Sequence, residues 1–110
     1  MLKKPFIIAE IGNNHEGSFS TAAKLVEEAA KAGVDAIKFQ TFEPDQFINS
    51  SEKKRFKTLK KFKLSDQNFI DLAKIAKNKK LKFISTPLDI RSVYFLKDKV
   101  DMFKIASSDN

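Results

Sequence analysis

The sequence contains no cysteine and only two arginines. Without cysteine there is no disulfide framework and no thiolate zinc site, which fits a reducing compartment. Proteins that read nucleic-acid bases rely on arginine for bidentate contacts, so two arginines argue against that function. No apolar run approaches membrane-spanning length, and residues 1–5 lead into the first apolar run without the features of a signal peptide. We therefore expect a cytoplasmic protein that binds neither nucleic acid nor a membrane.

The composition predicts one folded domain. The chain has 110 residues, of which 42% are hydrophobic and eleven are phenylalanine. This length allows one domain with a modest core, and this hydrophobic content argues against disorder. The net charge of +7 comes from an excess of lysine. Nucleic acid, an anionic small molecule and simple solubility all remain possible explanations of that charge.

Short apolar runs alternate with helical patterns along the chain. The runs with the length of strands are residues 7–10, 34–41, 81–85 and 101–106. The helices between them each begin at a side chain that can cap a first turn: Ser18 or Ser20, Ser65, and Asp89. Gly33 is expected to end the first helix in the left-handed conformation. The order β-α-β-α-β-α-β predicts an α/β fold with a parallel sheet and right-handed crossovers.

A basic segment interrupts this alternation between the second strand and the helix that follows Ser65. Its apolar residues Phe56, Leu59 and Phe62 are spaced at i, i+3 and i+6, close to the helical period. We expect a short amphipathic helix over the core, with its lysines facing water. A nucleic-acid or membrane surface is the alternative interpretation.

Polar and charged residues stand where the predicted strands end. They are Glu10; Lys38 and Gln40; Ser85 and Thr86; and Lys104, Ser107 and Asp109. In parallel α/β sheets chemistry gathers at the carboxyl ends of the strands, so these side chains should meet at one edge. Two ammonium groups with hydroxyls and backbone donors predict a site for a small, multiply charged anion such as a phosphorylated acid. Surface lysines placed there by chance are the alternative.

Five motifs in order resemble the N-terminal half of the sialic acid synthase family, the N-acetylneuraminate synthases and their legionaminic and pseudaminic acid relatives. The motifs are Ile8-Ala9-Glu10-Ile11-Gly12, Asn14-His15-Glu16-Gly17, Lys38-Phe39-Gln40-Thr41 after Gly33, Ile84-Ser85-Thr86-Pro87, and Phe103-Lys104-Ile105-Ala106-Ser107. The match runs from Phe6 to Asp109. The resemblance implies a (β/α)8 TIM barrel, of which residues 1–110 would form an N-terminal half-barrel of about four βα units.

The resemblance also implies an activity. Such enzymes condense phosphoenolpyruvate with an N-acetylated amino sugar, N-acetylmannosamine or a related diacetamido sugar, in its open aldehyde form. C3 of phosphoenolpyruvate attacks the aldehyde, water adds at C2, and phosphate departs. The products are a nine-carbon 2-keto sugar acid and phosphate. A divalent ion, manganese or magnesium, polarises the aldehyde. Its histidine ligands lie in the second half of the family's chain, so none of the residues present here is expected to hold the metal.

Site residues follow from the resemblance motif by motif. Lys38, Thr86 and Ser107 would hold the phosphate of phosphoenolpyruvate, and Lys104 would hold its carboxylate. The reacting centre would be lined by Glu10, Gln40 and Asp109, with acid-base or orienting roles. Asp109 stands where the neuraminate enzymes commonly have Glu. The single histidine, His15, is expected to order its loop rather than to bind a metal.

Length separates this chain from a complete barrel, which needs roughly 250 residues. We expect a half-barrel without turnover of its own, whose first and fourth strands present open edges and favour homo-oligomers.

Three alternatives are a related phosphoenolpyruvate-condensing keto-sugar-phosphate synthase, a non-catalytic basic module that binds nucleic acid, and a small flavodoxin-like domain. The Asn-His-Glu-Gly loop argues against the first. The last needs a fifth strand and a phosphate loop, and the sequence has neither.

Overall fold

Four parallel strands form one sheet in the order β1-β2-β3-β4. The computed structural model describes residues 4–44 and 53–105. The strands are β1 (Ile8–Gly12), β2 (Ala36–Thr41), β3 (Lys82–Pro87) and β4 (Met102–Phe103), and the helices are α1 (Phe19–Lys31), α2 (Lys53–Phe62), α3 (Asp66–Asn78) and α4 (Ile90–Leu96). The predicted alternation and parallel sheet are confirmed. Over the described ranges, none of the helices is both long and apolar enough to cross a bilayer.

The ends of the strands differ from the predicted ones. β1 runs past Glu10 to Gly12, with a register shift between these two residues. β3 continues through Pro87, which pairs with Thr41 at the last position of the strand, where a missing N–H interrupts no further ladder. The prediction of a fourth strand over residues 101–106 was too long, since only Met102–Phe103 pairs with β3 in the described part of the chain.

Side chains of β2 alternate between the two faces of the sheet. Ile37 and Phe39 are completely buried in the core beneath α1 and α3. The ring of Phe39 packs against those of Phe69 and Phe83, at centroid distances of 6.2 and 5.6 Å. Lys38 therefore lies on the face away from the helices, and Gln40 lies on the same face two residues later.

The predicted helix caps are confirmed. Ser18 accepts a hydrogen bond from the backbone of Thr21, and Asp89 accepts one from Ser92. Ser65 forms a reciprocal capping box with Asn68. Helices α1, α3 and α4 are thus each started by a local side chain.

The basic helix α2 forms as predicted, but it does not pack on the core. None of its residues is buried, and Phe56, Leu59 and Phe62 are outside the core cluster. Its C-terminal end rests instead on the loop between β1 and α1, where a Cβ on Gly17 would lie 2.0 Å from the Lys61 carbonyl oxygen. Helix α2 therefore sits at the edge of the sheet where β1 ends.

Replacing Gly17 with alanine should destabilise the protein in two ways. Gly17 has φ of +84°, so a side chain costs roughly 1–2 kcal/mol in backbone conformation. The clash with the Lys61 carbonyl should add about 1–3 kcal/mol. Gly33→Ala is the matched control, because Gly33 has φ of +83° and nothing within 4 Å of an added Cβ. Urea unfolding of both variants separates the contributions, and equal losses would contradict the close approach of α2.

Candidate functional site

Glu10 and Lys38 form an ion pair in the middle of β1 and β2, because both strands continue for two or three residues beyond the pair. The two residues are register partners in β1 and β2, and Lys38 Nζ lies 2.8 Å from Glu10 Oε2. The Lys38 side chain is 21% exposed and that of Glu10 51% exposed. Gly12 turns under the carboxylate with φ of +55°, and a Cβ there would be 3.2 Å from Glu10 Oε1. At this exposure the pair contributes only about 0–1 kcal/mol to stability, so its geometry matters more than its energy.

Gln40 and Thr86 form a second row next to this pair. They are register partners in β2 and β3, and Gln40 Oε1 accepts a 2.8 Å hydrogen bond from Asn13 Nδ2. Neighbouring strands are about 4.8 Å apart and alternate residues about 6.6 Å apart, so the Cα atoms of Lys38 and Thr86 are separated by a diagonal of roughly 8 Å. Glu10, Lys38, Gln40 and Thr86 thus share one patch.

Lys104 is the one described site residue that does not join this patch. Lys104 follows β4, where its backbone N–H donates to the Ser85 carbonyl, and its exposed side chain donates to the carbonyl of Ile105. Ser107 and Asp109 lie outside the described residues. The structure therefore brings together four of the five predicted side chains that it describes.

Ser85, expected at the strand end beside Thr86, lies on the other face of the sheet. It is completely buried, its hydroxyl lies 2.7 Å from that of Thr41, and it donates to the Phe39 carbonyl at 3.2 Å. The period of two along a strand sends adjacent residues to opposite faces, so Ser85 and Thr86 cannot share one site. Ser85 connects β2 and β3 on the helix side.

His15 lies beneath the loop that carries Asn13. The imidazole is 2% exposed, packs against Phe39 with centroids 6.0 Å apart, and accepts a 2.9 Å hydrogen bond from the Gly17 N–H at Nδ1. Burial lowers the pKa of His15, an effect that the Gly12 carbonyl partly opposes. The contacts of His15 hold the loop in shape, as expected from a loop-ordering residue.

Two further connections at this edge escaped the sequence analysis. Asn13, which positions Gln40, directly precedes the Asn14-His15 motif, and this adjacency was its only signal. Glu43 accepts from Lys63 at 2.7 Å, while the Glu43 N–H donates to Asp89 at 2.6 Å. These bonds join the exits of β2 and β3 to the end of α2. Their partners are 20 and 46 residues apart, so no local pattern identifies them.

The described residues do not fit a metal ion. Over residues 4–44 and 53–105, no three His, Cys, Asp or Glu side chains come together. The Glu10 carboxylate already faces an ammonium group, which competes with a cation for the same oxygens. We therefore derive no chemical step through a metal.

A cavity of about 700 Å³ lies at the opposite edge of the sheet. Its walls come from α3, the start of β3 and the segment before β4, and it contains none of the predicted site residues. Its charged lining consists of Lys74, Lys77, Lys80, Lys82, Lys99, Asp98 and Asp101. We place the candidate site at the patch rather than in this cavity, because the amino-terminal edge of such a sheet serves stability and not chemistry.

Comparison with known proteins identifies the family. The NeuB family model matches residues 25–110. The chain belongs to the NeuB family. A NeuB relative with a stated activity is the N,N'-diacetyllegionaminic acid synthase of Legionella pneumophila, 36% identical over 104 residues, covering 83% of this chain and 29% of that protein. An uncharacterised protein of Methanocaldococcus jannaschii is 45% identical over 105 residues, covering 94% of this chain and 31% of that protein.

The fold comparison agrees with the sequence comparison. The crystal structure of N-acetylneuraminic acid synthetase from Leptospira borgpetersenii matches with a TM-score of 0.91 and 33% identity, covering 97% of this chain and 38% of that one. The chain thus spans roughly a third of the length of its NeuB relatives. Its four parallel strands and their helices match part of a larger NeuB barrel.

Removing the Ser85 hydroxyl should destabilise the fold more than breaking the exposed ion pair. Ser85→Ala leaves the buried Thr41 hydroxyl without its partner, which should cost about 1–3 kcal/mol. Glu10→Gln should change the free energy of unfolding by less than about 1 kcal/mol. Urea unfolding at neutral pH compares the two variants. A larger loss in Glu10→Gln would contradict the assignment of these two residues to opposite faces.

Burial of neutral His15 predicts a loss of stability in mild acid. The pKa of His15 is lowered in the fold, so below pH 6.5 the unfolded chain binds more protons than the folded chain, and stability falls as pH falls. The slope attributable to His15 should be positive between the lowered pKa and roughly pH 6.5, and one proton limits it to at most about 1.4 kcal/mol per pH unit. His15→Gln should lack this slope above about pH 5, where carboxylates contribute little. An NMR titration with a His15 pKa at or above 6.5 would contradict the prediction.

Proposed function

We propose that the chain forms the phosphoenolpyruvate-binding part of a sialic-acid-type synthase, which condenses phosphoenolpyruvate with an N-acetylated amino sugar. The patch of Lys38, Glu10, Gln40 and Thr86 carries the proposal. It combines a cation, a hydroxyl, an amide and a carboxylate on the face of a parallel sheet that lies away from the helices. The synthase activities named for the relatives support the reaction class. Membership of the family argues against a stand-alone nucleic-acid-binding module or a flavodoxin-like domain.

Lys38 is the proposed phosphate ligand, and Glu10 keeps its ammonium group in position before substrate binds. Phosphate offers several charged oxygens where Glu10 offers one carboxylate, so a bound phosphate can take over the charge-assisted hydrogen bonds of Lys38. Thr86 is buried one strand away from Lys38, where it is the register partner of Gln40, and its hydroxyl is proposed to donate to a second phosphate oxygen. Phosphate binding then releases the Glu10 carboxylate.

The released Glu10 and the fixed Gln40 are the groups proposed to act on the reacting atoms. As C3 of phosphoenolpyruvate bonds to the aldehyde carbon, the aldehyde oxygen gains a proton. The water that adds at C2 loses a proton, and phosphate departs. Glu10 can take the proton from the water, while Gln40, held by Asn13, is oriented to hydrogen-bond a reacting oxygen. Lys104, Ser107 and Asp109 are proposed to complete the site, with the family's divalent ion held by groups other than the described residues.

The edges of the sheet are proposed to bind further protein. Ile7 before β1 and Ile8 in β1 are each 45% exposed, and Met102 and Phe103 in β4 are 44% and 41% exposed. These residues flank strand edges whose backbone groups can pair with another strand. We propose that a homo-oligomer, or the remainder of a NeuB barrel, covers these edges.

Isothermal titration of phosphoenolpyruvate tests the role of Lys38. Loss of a hydrogen bond between charged groups removes about 1.5–3 kcal/mol, so Lys38→Gln should weaken binding roughly 10- to 150-fold. Lys74→Gln makes the same change in net charge at the opposite edge and should bind like the parent chain. Glu10→Gln removes the competing carboxylate and should bind at least as tightly as the parent chain. Equal binding by Lys38→Gln and Lys74→Gln, or no binding to the parent, would contradict the proposal.

A further inference from the structure

The positive charge of the chain is concentrated in one short segment. Residues 53–63, which comprise α2 and Lys63, contain seven of the 21 Lys and Arg residues and no acid. The other 14 cations equal the 14 acids in number, so this segment accounts for the whole net charge of +7. Lysines that only keep a protein dissolved do not need to gather on one helix. The location of this helix is therefore informative.

Helix α2 is fixed at the edge of the sheet that carries the candidate site. Its last turn rests on Gly17, and Lys63 is joined to Glu43 just beyond β2. Gly17 belongs to the same loop as Asn13, whose amide holds Gln40. The cationic end of α2 and the anion-binding patch are thus attached to one loop.

Most lysines of the segment pair with no described carboxylate, so their charge can attract an approaching anion. Among the described residues, Lys63 is the only lysine of this segment that pairs with a carboxylate. The nearest acid after the segment, Asp66, is held by Arg91 at 2.6 Å, while Glu52 precedes it in sequence. The C-terminus of a helix carries roughly half a negative charge, which is small against the lysines in its last two turns.

We propose that α2 is an electrostatic collector, which raises the concentration of small, multiply charged anions over the patch of Lys38 and Thr86. The inference rests on the proposed function only in taking phosphoenolpyruvate as the anion collected. At physiological salt the Debye length is about 8 Å, so the potential of α2 reaches across the loop on which it rests. Charge steering of this kind raises association rates about 10- to 1,000-fold at low salt.

A single engineered thiol can measure this potential, because the chain has no cysteine of its own. Asn14 is exposed and stands three residues before Gly17, a span of at most about 11 Å. In Asn14→Cys the rate of reaction with the dianion dithiobis-nitrobenzoate is divided by the rate with neutral dithiodipyridine. This ratio cancels any change in the fraction of thiolate. Ala32→Cys, at the end of α1 and the opposite edge of the sheet, supplies the reference ratio.

The collector predicts a local and salt-dependent excess of the dianion. At low salt the ratio of the dianion rate to the neutral-reagent rate should be about tenfold higher in Asn14→Cys than in Ala32→Cys. The two ratios should converge near 1 M salt. Replacing Lys57, Lys60 and Lys61 with glutamine should remove most of the excess. The matched triple replacement of Lys74, Lys77 and Lys80 lowers the net charge equally and should leave it intact.

Equal effects of the two triple replacements, or equal ratios at the two thiols, would overturn the proposal. No residue of α2 is buried, so the glutamine variants should keep the parent's urea unfolding transition. The thiol reaction needs no phosphoenolpyruvate. It therefore tests the electrostatic role of α2 independently of the calorimetry, which tests the proposed function.

Discussion

The alternation of side chains along β2 is the constraint on which the rest of the structure depends. Ile37 and Phe39 are fully buried against the helices, and this forces Lys38 and Gln40 onto the other face. A slip of one residue would place an ammonium group in the core and expose two large apolar side chains, so the register is strongly specified. Because β2 pairs on both sides, this one register places Glu10 beside Lys38 and Thr86 beside Gln40.

The loop after β1 orients side chains that this register brings together. Gly12 and Gly17 have no Cβ, which allows the Glu10 carboxylate and the end of α2 to approach the backbone closely. Buried His15 supports the loop from beneath, and Asn13 reaches across to Gln40. The loop thus fixes both the orientation of one site residue and the position of a cationic helix. Its contribution is geometric, since each bond adds only about 1 kcal/mol to stability.

The chain corresponds to about a third of its NeuB relatives, and its charge distribution suits that partial role. The described patch offers groups for a phosphorylated acid, namely a lysine and a hydroxyl, together with a carboxylate and a fixed amide. Nothing in the patch itself selects among amino sugars. In the proposed function this patch binds the phosphorylated acid.

Patterns confined to a few neighbouring residues were sufficient to predict much of the fold. The order of strands and helices, the caps at Ser18, Ser65 and Asp89, and the helix of the basic segment all follow from local spacing and propensity. The extent of β4 did not follow, because a strand ends where its partner stops pairing. The placement of Ser85 was also missed, although the period of two along β3 contained the information.

What the sequence by itself determined is the order of the strands and, through the period of two along β2, the shared face of Lys38 and Gln40. Only the tertiary structure decided how those residues pair. The Glu10–Lys38 ion pair, the Asn13–Gln40 hydrogen bond and the seat of α2 on Gly17 join residues that are 27 to 44 positions apart. Such contacts depend on inter-strand register, on the irregularity between Glu10 and Gly12, and on space left by an absent Cβ. These are properties of packed elements, and a linear pattern does not encode them.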